Sequence, residues 1–195
     1  MRNGRGRAMN AAVVLAAGAS RRLGEPKQLM RLAGETLLQR AIRTAHEAGC
    51  SPVVVVLGAD ATQIQAQTDL SDEVVAINDQ WSEGMASSIR VGVQTLGSVA
   101  KDLDGVLLMT CDQPAVTASH LRALMAMGEM TASAYAGRRG VPAYLPATAF
   151  AQLMELHGDA GARDLLRQAA AVELAGGELD VDTAEDLNEA RSRFR

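Results

Sequence analysis

Apolar runs and amphipathic stretches alternate along the chain. Residues 11–17 (AAVVLAA) are continuously apolar and stop at Gly18, the pattern of a strand buried on both faces. Leu37, Leu38, Ala41, Ile42, Ala45 and Ala48 recur at helical spacing, and Gly49 follows as a stop signal. Residues 52–57 (PVVVVL) predict a second buried strand, 60–67 a short helix, 74–77 a third strand, and 85–96 a helix despite Gly92 at its centre. A fourth strand over 106–110 ends in Cys111-Asp112-Gln113-Pro114, and Thr117 predicts an N-cap for a helix running to Met127. Beyond it the runs shorten. Residues 133–136 and 141–145 pair across a turn at 137–140, helices follow at 147–156 and 160–169, and 172–174 form a short last strand. Thr183 caps a final helix with Glu185 and Asp186 in its first turn. Strand and helix in alternation predict an α/β protein, a Rossmann-like three-layer α/β/α sandwich on a mostly parallel sheet. No repeat, low-complexity segment or linker interrupts the pattern, so one domain over 1–195 is expected, with 1–10 as a leader.

Composition narrows the function classes. Of 195 residues, 48% are hydrophobic and 22% charged, enough to bury a core without a disulfide or metal staple. The balance of 19 basic against 23 acidic residues, net −4, excludes a basic nucleic-acid coat, and 3% aromatics argue against a base-stacking platform. No stretch reaches the ~20 apolar residues of a membrane span. Arg2, Arg5 and Arg7 precede a short, Leu-poor apolar run that Arg21 and Arg22 follow, which reads as a basic leader rather than a secretory signal, and as a cytoplasmic protein. Cys50 and Cys111 stand without a second Cys or a His at metal-ligand spacing and read as buried thiols in a reducing compartment.

The chemistry concentrates after the first strand, in Leu15-Ala16-Ala17-Gly18-Ala19-Ser20-Arg21-Arg22-Leu23-Gly24-Glu25-Pro26-Lys27. A strand delivers this loop to the sheet edge where open α/β sheets bind ligands. Small residues let backbone N–H groups approach a phosphate, and Arg22 and Lys27 suit a polyphosphate. The Gly-Lys-Ser/Thr end of a P-loop and the G-x-G-x-x-G of a dinucleotide fold are both missing.

The loop resembles the signature L-x-A-G-x-S-x-R-x-G-x-x-K of MobA-like nucleotidyltransferases, with Leu23 where the family usually has Met. The resemblance continues through Asn78-Asp79-Gln80-Trp81-Ser82-Glu83-Gly84-Met85-Ala86-Ser87-Ser88, Cys111 to Pro114, Gly140-Val141-Pro142, Leu156 to Arg163 and Asp180 to Asp186, so it spans nearly the whole chain. It is closest to molybdenum cofactor cytidylyltransferases, where Ala17, giving LAAG, goes with CTP and LAGG with GTP. It implies CMP transfer from CTP to the phosphate of a molybdenum-bound pterin, Mg²⁺ as cofactor, and a molybdenum hydroxylase or its chaperone downstream. GTP with the same pterin, CTP with a sugar- or polyol-phosphate, and a non-catalytic protein that holds the cofactor are the alternatives.

Such a transfer brings anions together, so positioning and charge neutralisation carry it. Lys27 is expected on the β- and γ-phosphates with Arg22 assisting, and Arg21 toward solvent. Asp112, at the same sheet edge as the glycine loop, is the first candidate Mg²⁺ ligand and Asp182 the second. Both also read as capping residues, and Asp180 as a supporting or capping one. Leu15, Ala16, Ala17, Gly18, Ala19 and Ser20 are expected around the nucleotide. Gly84, Met85, Ser87 and Ser88 open a helix as an anion site for the nucleotide ribose or the acceptor phosphate. Trp81 either stacks on a pterin or packs in the core, with Asn78 beside it. His46 and His120 read as solvated, and His157 as a candidate in the acceptor pocket. Arg163 pairs with the acceptor or with Asp159. An ionised acceptor phosphate requires no general base.

Overall fold

The computed structural model describes residues 9–20, 22–158 and 162–194. The expected leader over residues 1–8 lies outside them. Asn10, counted with that leader, opens the first strand, and Met9 and Asp104 exchange hydrogen bonds that anchor its start.

Strand β1 (Asn10–Ala16) is buried on both faces as its composition demands. Ala12, Val14 and Ala16 point into one apolar layer, and Ala11, Val13 and Leu15 into another. β1 pairs in parallel with β4 (Val53–Leu57) on one side and β6 (Gly105–Thr110) on the other, and β5 (Val74–Ile77) extends the sheet beyond β4. Strand β8 (Arg138–Pro146) runs antiparallel to β6, β7 (Thr131–Tyr135) pairs with β8, and β9 (Ala170–Glu173) lies parallel to β7. The seven strands run in the order β5-β4-β1-β6-β8-β7-β9. Helix α1 (Leu37–Ala48) and helix α4 (Ala118–Ala126) cover one face, and α3 (Met85–Val99) covers the other. α2 (Ala61–Gln67) follows β4. This is the mostly parallel layered sheet expected from the sequence.

Local signals explain the boundaries. Thr36 and Gln39 form a capping box at the start of α1, and Gly49, in the left-handed region at φ 92°, ends it. Gly92 is required by packing. A Cβ there would stand 2.5 Å from Cγ1 of Val13, so its absence lets α3 sit close on β1.

The later elements differ from expectation. The turn between β7 and β8 is Ala136-Gly137, both at positive φ, not the broader 137–140 span. Two central residues at positive φ match the twist of a hairpin, so Arg138 and Arg139 belong to the strand. The expected helix over 147–156 shortens to a 3₁₀ turn (Ala147–Ala149) and α5 (Phe150–Met154). Within the expected 160–169, α6 covers Arg163–Leu166. A two-stranded hairpin, β2 (Arg31–Leu32) with β3 (Glu35–Thr36), is too short to show periodicity and was not expected. Leu32 of this hairpin joins, with Met30 before it and Leu37 after it, a third cluster that includes Leu179, Val181 and Leu187 under α7 (Ala184–Arg193). That cluster draws the C-terminal segment back to the loop after β1.

Candidate active site

β4 and β5 lie on one side of β1, and β6 on the other, so the chain switches direction between β1 and β6. At such a switch the loops leaving the carboxyl ends diverge and open a crevice. Leu15 and Thr110 are paired at this edge, and the loops that follow them carry the glycine stretch and Asp112.

The first loop is closed by its own side chains. Ser20 Oγ accepts from the Lys27 backbone N–H at 2.7 Å, and the Gln28 carboxamide donates to the carbonyls of Ala16 (2.7 Å) and Gly18 (3.2 Å). Lys27 is thereby turned back over the sheet edge. Its Nζ donates to Asp112 Oδ2 at 2.5 Å and to Asp182 Oδ1 at 2.7 Å. Asp182 is delivered by backbone pairing: the N–H of the fully buried Val181 donates to the Asp112 carbonyl at 2.9 Å, leaving Asp180 and Asp182 at the rim. Thr183 and Asp186 then form the capping box of α7.

The electrostatics are coupled. Burial works against the Lys27 charge, but Asp112 and Asp182 outweigh it and hold the ammonium above the ordinary lysine pKa. Asp180 is pushed up to about 6, first by burial and then by the negative charge of Asp112, with Arg138 opposing at 3.9 Å. The Cys50 and Cys111 thiols are buried, as expected, and burial pushes both up to about 12, so neither is a reactive thiolate.

Two clefts meet here. The first, about 380 Å³, has Leu15, Ala17, Gly18 and Ala19 on one wall and Trp81, Ser82, Gly84 and Ser88 on the other. The second, about 350 Å³, is bounded by Gln113, Tyr135, Arg138, Arg139, Gly140 and Arg163, with Asp180 and Asp182 at its mouth. Lys27, Met85, Thr110 and Asp112 line both and form the seam between them.

Several expected site residues take other places. Asn78 is buried, donates to Ser87 Oγ (2.8 Å) and Ser88 Oγ (2.9 Å), and accepts from the Gln80 N–H, so it shapes the start of α3 rather than touching a substrate. Ser87 is spent on the Gly84 and Gln80 carbonyls and lines neither cleft, whereas Ser88 lines the first. Ala16 faces the core and Ser20 braces the loop. Arg22 is exposed and lines neither cleft; its charge is felt by Asp186. Trp81 is half-buried against the apolar layer beside the glycine loop, not in the arginine-lined cleft. His157 is exposed and lines neither cleft, and the Arg163–Asp159 pair and Arg21 fall outside the described residues. His46 is exposed, 2.9 Å from Glu73, while His120, expected in solvent, is buried against Ser133 Oγ at 2.8 Å because α4 lies flat on β7 and β8.

Sequence reasoning missed Gln113, Tyr135, Arg138 and Arg139 as cleft residues. Gln113 had a signal, standing beside Asp112, and here it donates to the Tyr135 hydroxyl at 3.3 Å, which in turn donates to the Val141 carbonyl. The arginines had none, because their role depends on the tight hairpin turn.

Two carboxylates converging on one ammonium are a fitting seat for a hard divalent cation. Among the described residues no group of three or more His, Cys, Asp or Glu is arranged for a metal. Such a site suits an ion that takes its remaining ligands from water and substrate phosphates.

Comparison with known proteins agrees with this geometry. A model of the MobA-like NTP transferase domain matches residues 12–173. Nicotine blue oxidoreductase of Paenarthrobacter nicotinovorans is 34% identical, covering 94% of each chain. The purine catabolism protein PucB of Bacillus subtilis is 31% identical over 92% of this chain and 94% of its own. A probable molybdenum cofactor guanylyltransferase of Opitutus terrae is 34% identical over 56% of this chain and 50% of its own. Among solved structures, Rv0371c of Mycobacterium tuberculosis superposes with a TM-score of 0.83 at 32% identity, covering 96% of this chain and 100% of its own, and it has also been solved in complex with manganese. A nucleotidyl transferase of Methanothermobacter thermautotrophicus superposes with a TM-score of 0.78 at 26% identity, covering 95% of this chain and 97% of its own. The chain belongs to the MobA-like NTP transferase family and is a nucleotidyltransferase.

Proposed function

We propose that this enzyme moves CMP from CTP onto the phosphate of a molybdenum-bound pterin, releasing pyrophosphate. The observation that carries the reading is the Lys27 ammonium held between Asp112 and Asp182 at the seam of two clefts. The triphosphate lies along the glycine loop, with its base toward Trp81 and its phosphates at Lys27. The acceptor enters the other cleft, where Arg138, Arg139 and Arg163 offer cations to an anionic ligand. An acceptor phosphate oxygen attacks the α-phosphorus as the bond to the β-phosphate bridging oxygen breaks, so one bond forms, one breaks, and pyrophosphate leaves. Lys27 neutralises charge on the departing pyrophosphate. Asp112 and Asp182 would hold Mg²⁺, which when bound would supply Lewis-acid neutralisation of the triphosphate. No proton needs removing from an ionised acceptor. The choice of CTP rests on the LAAG resemblance, supported by the position of Ala17 in the wall of the first cleft. The likeness to nicotine blue oxidoreductase raises a redox reading, against which stands the missing dinucleotide fingerprint in the loop after β1.

The test is pyrophosphate release from purified protein with Mg²⁺, CTP and the molybdenum-bound pterin, beside a thermal-shift panel of CTP, GTP, ATP, UTP and NADPH. Acceptor-dependent release with a CTP-only shift is expected. A GTP-only shift overturns the base. Release with a sugar- or polyol-phosphate in place of the pterin overturns the acceptor. Nucleotide binding without turnover on any acceptor favours a protein that holds cofactor for a partner such as a molybdenum hydroxylase. An NADPH-only shift favours the redox reading.

A further inference from the structure

The Trp81 side of the first cleft lies where three parallel strands stop side by side. Ala17 follows β1, Gly58 follows β4 and Asn78 follows β5. Ala59 N–H donates to the Ala17 carbonyl at 2.9 Å, Asn78 N–H donates to the Leu57 carbonyl at 2.8 Å, and the 3₁₀ turn Trp81–Glu83 folds back over the same place. Gly58 sits under both walls of the cleft. A Cβ built on it would stand 2.7 Å from Trp81 Cβ, 2.8 Å from the Ala17 carbonyl oxygen and 2.9 Å from Ala17 Cβ. Those distances are far inside van der Waals contact, and two of the three atoms belong to opposite walls. A side chain at this position therefore forces the indole wall and the glycine-loop wall apart.

We propose that Gly58 is a specificity-determining position: by carrying no side chain it lets Trp81 and Ala17 close to a fixed separation, and that separation sets which nucleobase the cleft accepts. The inference rests on reading this cleft as the nucleotide site. It assigns base selection to the Trp81 end and phosphate binding to the Lys27 end, and the two ends can be assayed apart.

The assay is calorimetric titration of CTP, GTP, ATP, UTP and inorganic tripolyphosphate, each with Mg²⁺, into the native chain and into Gly58→Ala. Trp81 is the only tryptophan of the chain, so its emission reports directly whether the indole moves. The expected result is a shifted Trp81 emission and a loss of about tenfold or more in the affinity ratio between the preferred nucleotide and the others, with tripolyphosphate affinity within about twofold of native. Unchanged base preference in the variant overturns the role of Gly58 while leaving the cleft as the nucleotide site. An equal loss for tripolyphosphate and all four nucleotides also overturns it, since the glycine then serves the loop as a whole. Failure of the native chain to bind any nucleotide overturns both readings. If Gly58→Ala does not fold, Trp81→Leu serves instead, because it keeps the Cβ beside Gly58 and removes the indole wall. The same loss of base preference with intact tripolyphosphate binding is expected, and retained preference contradicts the proposal.

Discussion

The Lys27 side chain is only 17% exposed, and it is kept charged by two carboxylates that stand 85 and 155 residues further along the sequence. The sequence marked Lys27 by the company of glycine and arginine in its loop, and Asp112 by its place after a buried strand. Their 2.5 Å contact follows from the parallel pairing of β1 with β6, which no local pattern encodes. His120 shows the reverse case. Read alone, a histidine on a helix after Thr117 looks solvated, but the partner that buries it, Ser133, lies on a strand whose position only the tertiary fold defines. Burial lowers the His120 pKa below the ordinary value. The folded state therefore prefers neutral imidazole. Its contribution to stability is intact above about 6.5, the unfolded value, and is lost as pH falls from there through the folded-state pKa. The stability of native protein to thermal unfolding is expected to fall below about pH 6.5 more steeply than that of His120→Gln. Parallel pH profiles for the two would contradict this assignment.

Elements were legible where periodicity was long. β1, β4, β5, β6, α1 and α3 stand within a few residues of their sequence-based bounds, because an apolar run or a 3.6-residue repeat is decided locally. The region after residue 127 was read less well. There, two-residue turns and one-turn helices decide the path, and β8 runs antiparallel inside a parallel sheet. The glycines of α3 separate these influences. Gly92 lies against Val13, whereas nothing stands within 4 Å of a Cβ built on Gly97. Gly92→Ala is expected to cost about 1–3 kcal/mol through overpacking. Gly97→Ala, in the same helix, is expected to stabilise by about 0.5–1 kcal/mol by restricting the unfolded chain. Urea unfolding of both variants reads the difference, and an equal gain of stability in Gly92→Ala and Gly97→Ala would show that helix propensity, not contact with β1, governs these positions.

Among the described residues, two apolar clusters cover the two faces of the sheet, and a third ties the C-terminal segment to the loop after β1. The third has the most direct functional consequence, since it seats Val181 beneath α7 and so sets Asp182 across from Asp112. No helix among the described residues is long and apolar enough to cross a membrane. The family and the glycine loop could be read from motifs, while the arginine-lined cleft and the seam between the clefts needed the fold. Lys27→Ala is expected to reduce nucleotidyl transfer about 100-fold or more, with a stability change of only about 1–2 kcal/mol. The most direct measurement is calorimetric titration of a non-hydrolysable CTP analogue with Mg²⁺ into native protein and Lys27→Ala. If the triphosphate is held between the glycine loop and the two carboxylates, the native protein binds and the variant binds at least about tenfold more weakly. Equal affinities in the two proteins would place the triphosphate elsewhere and contradict the account.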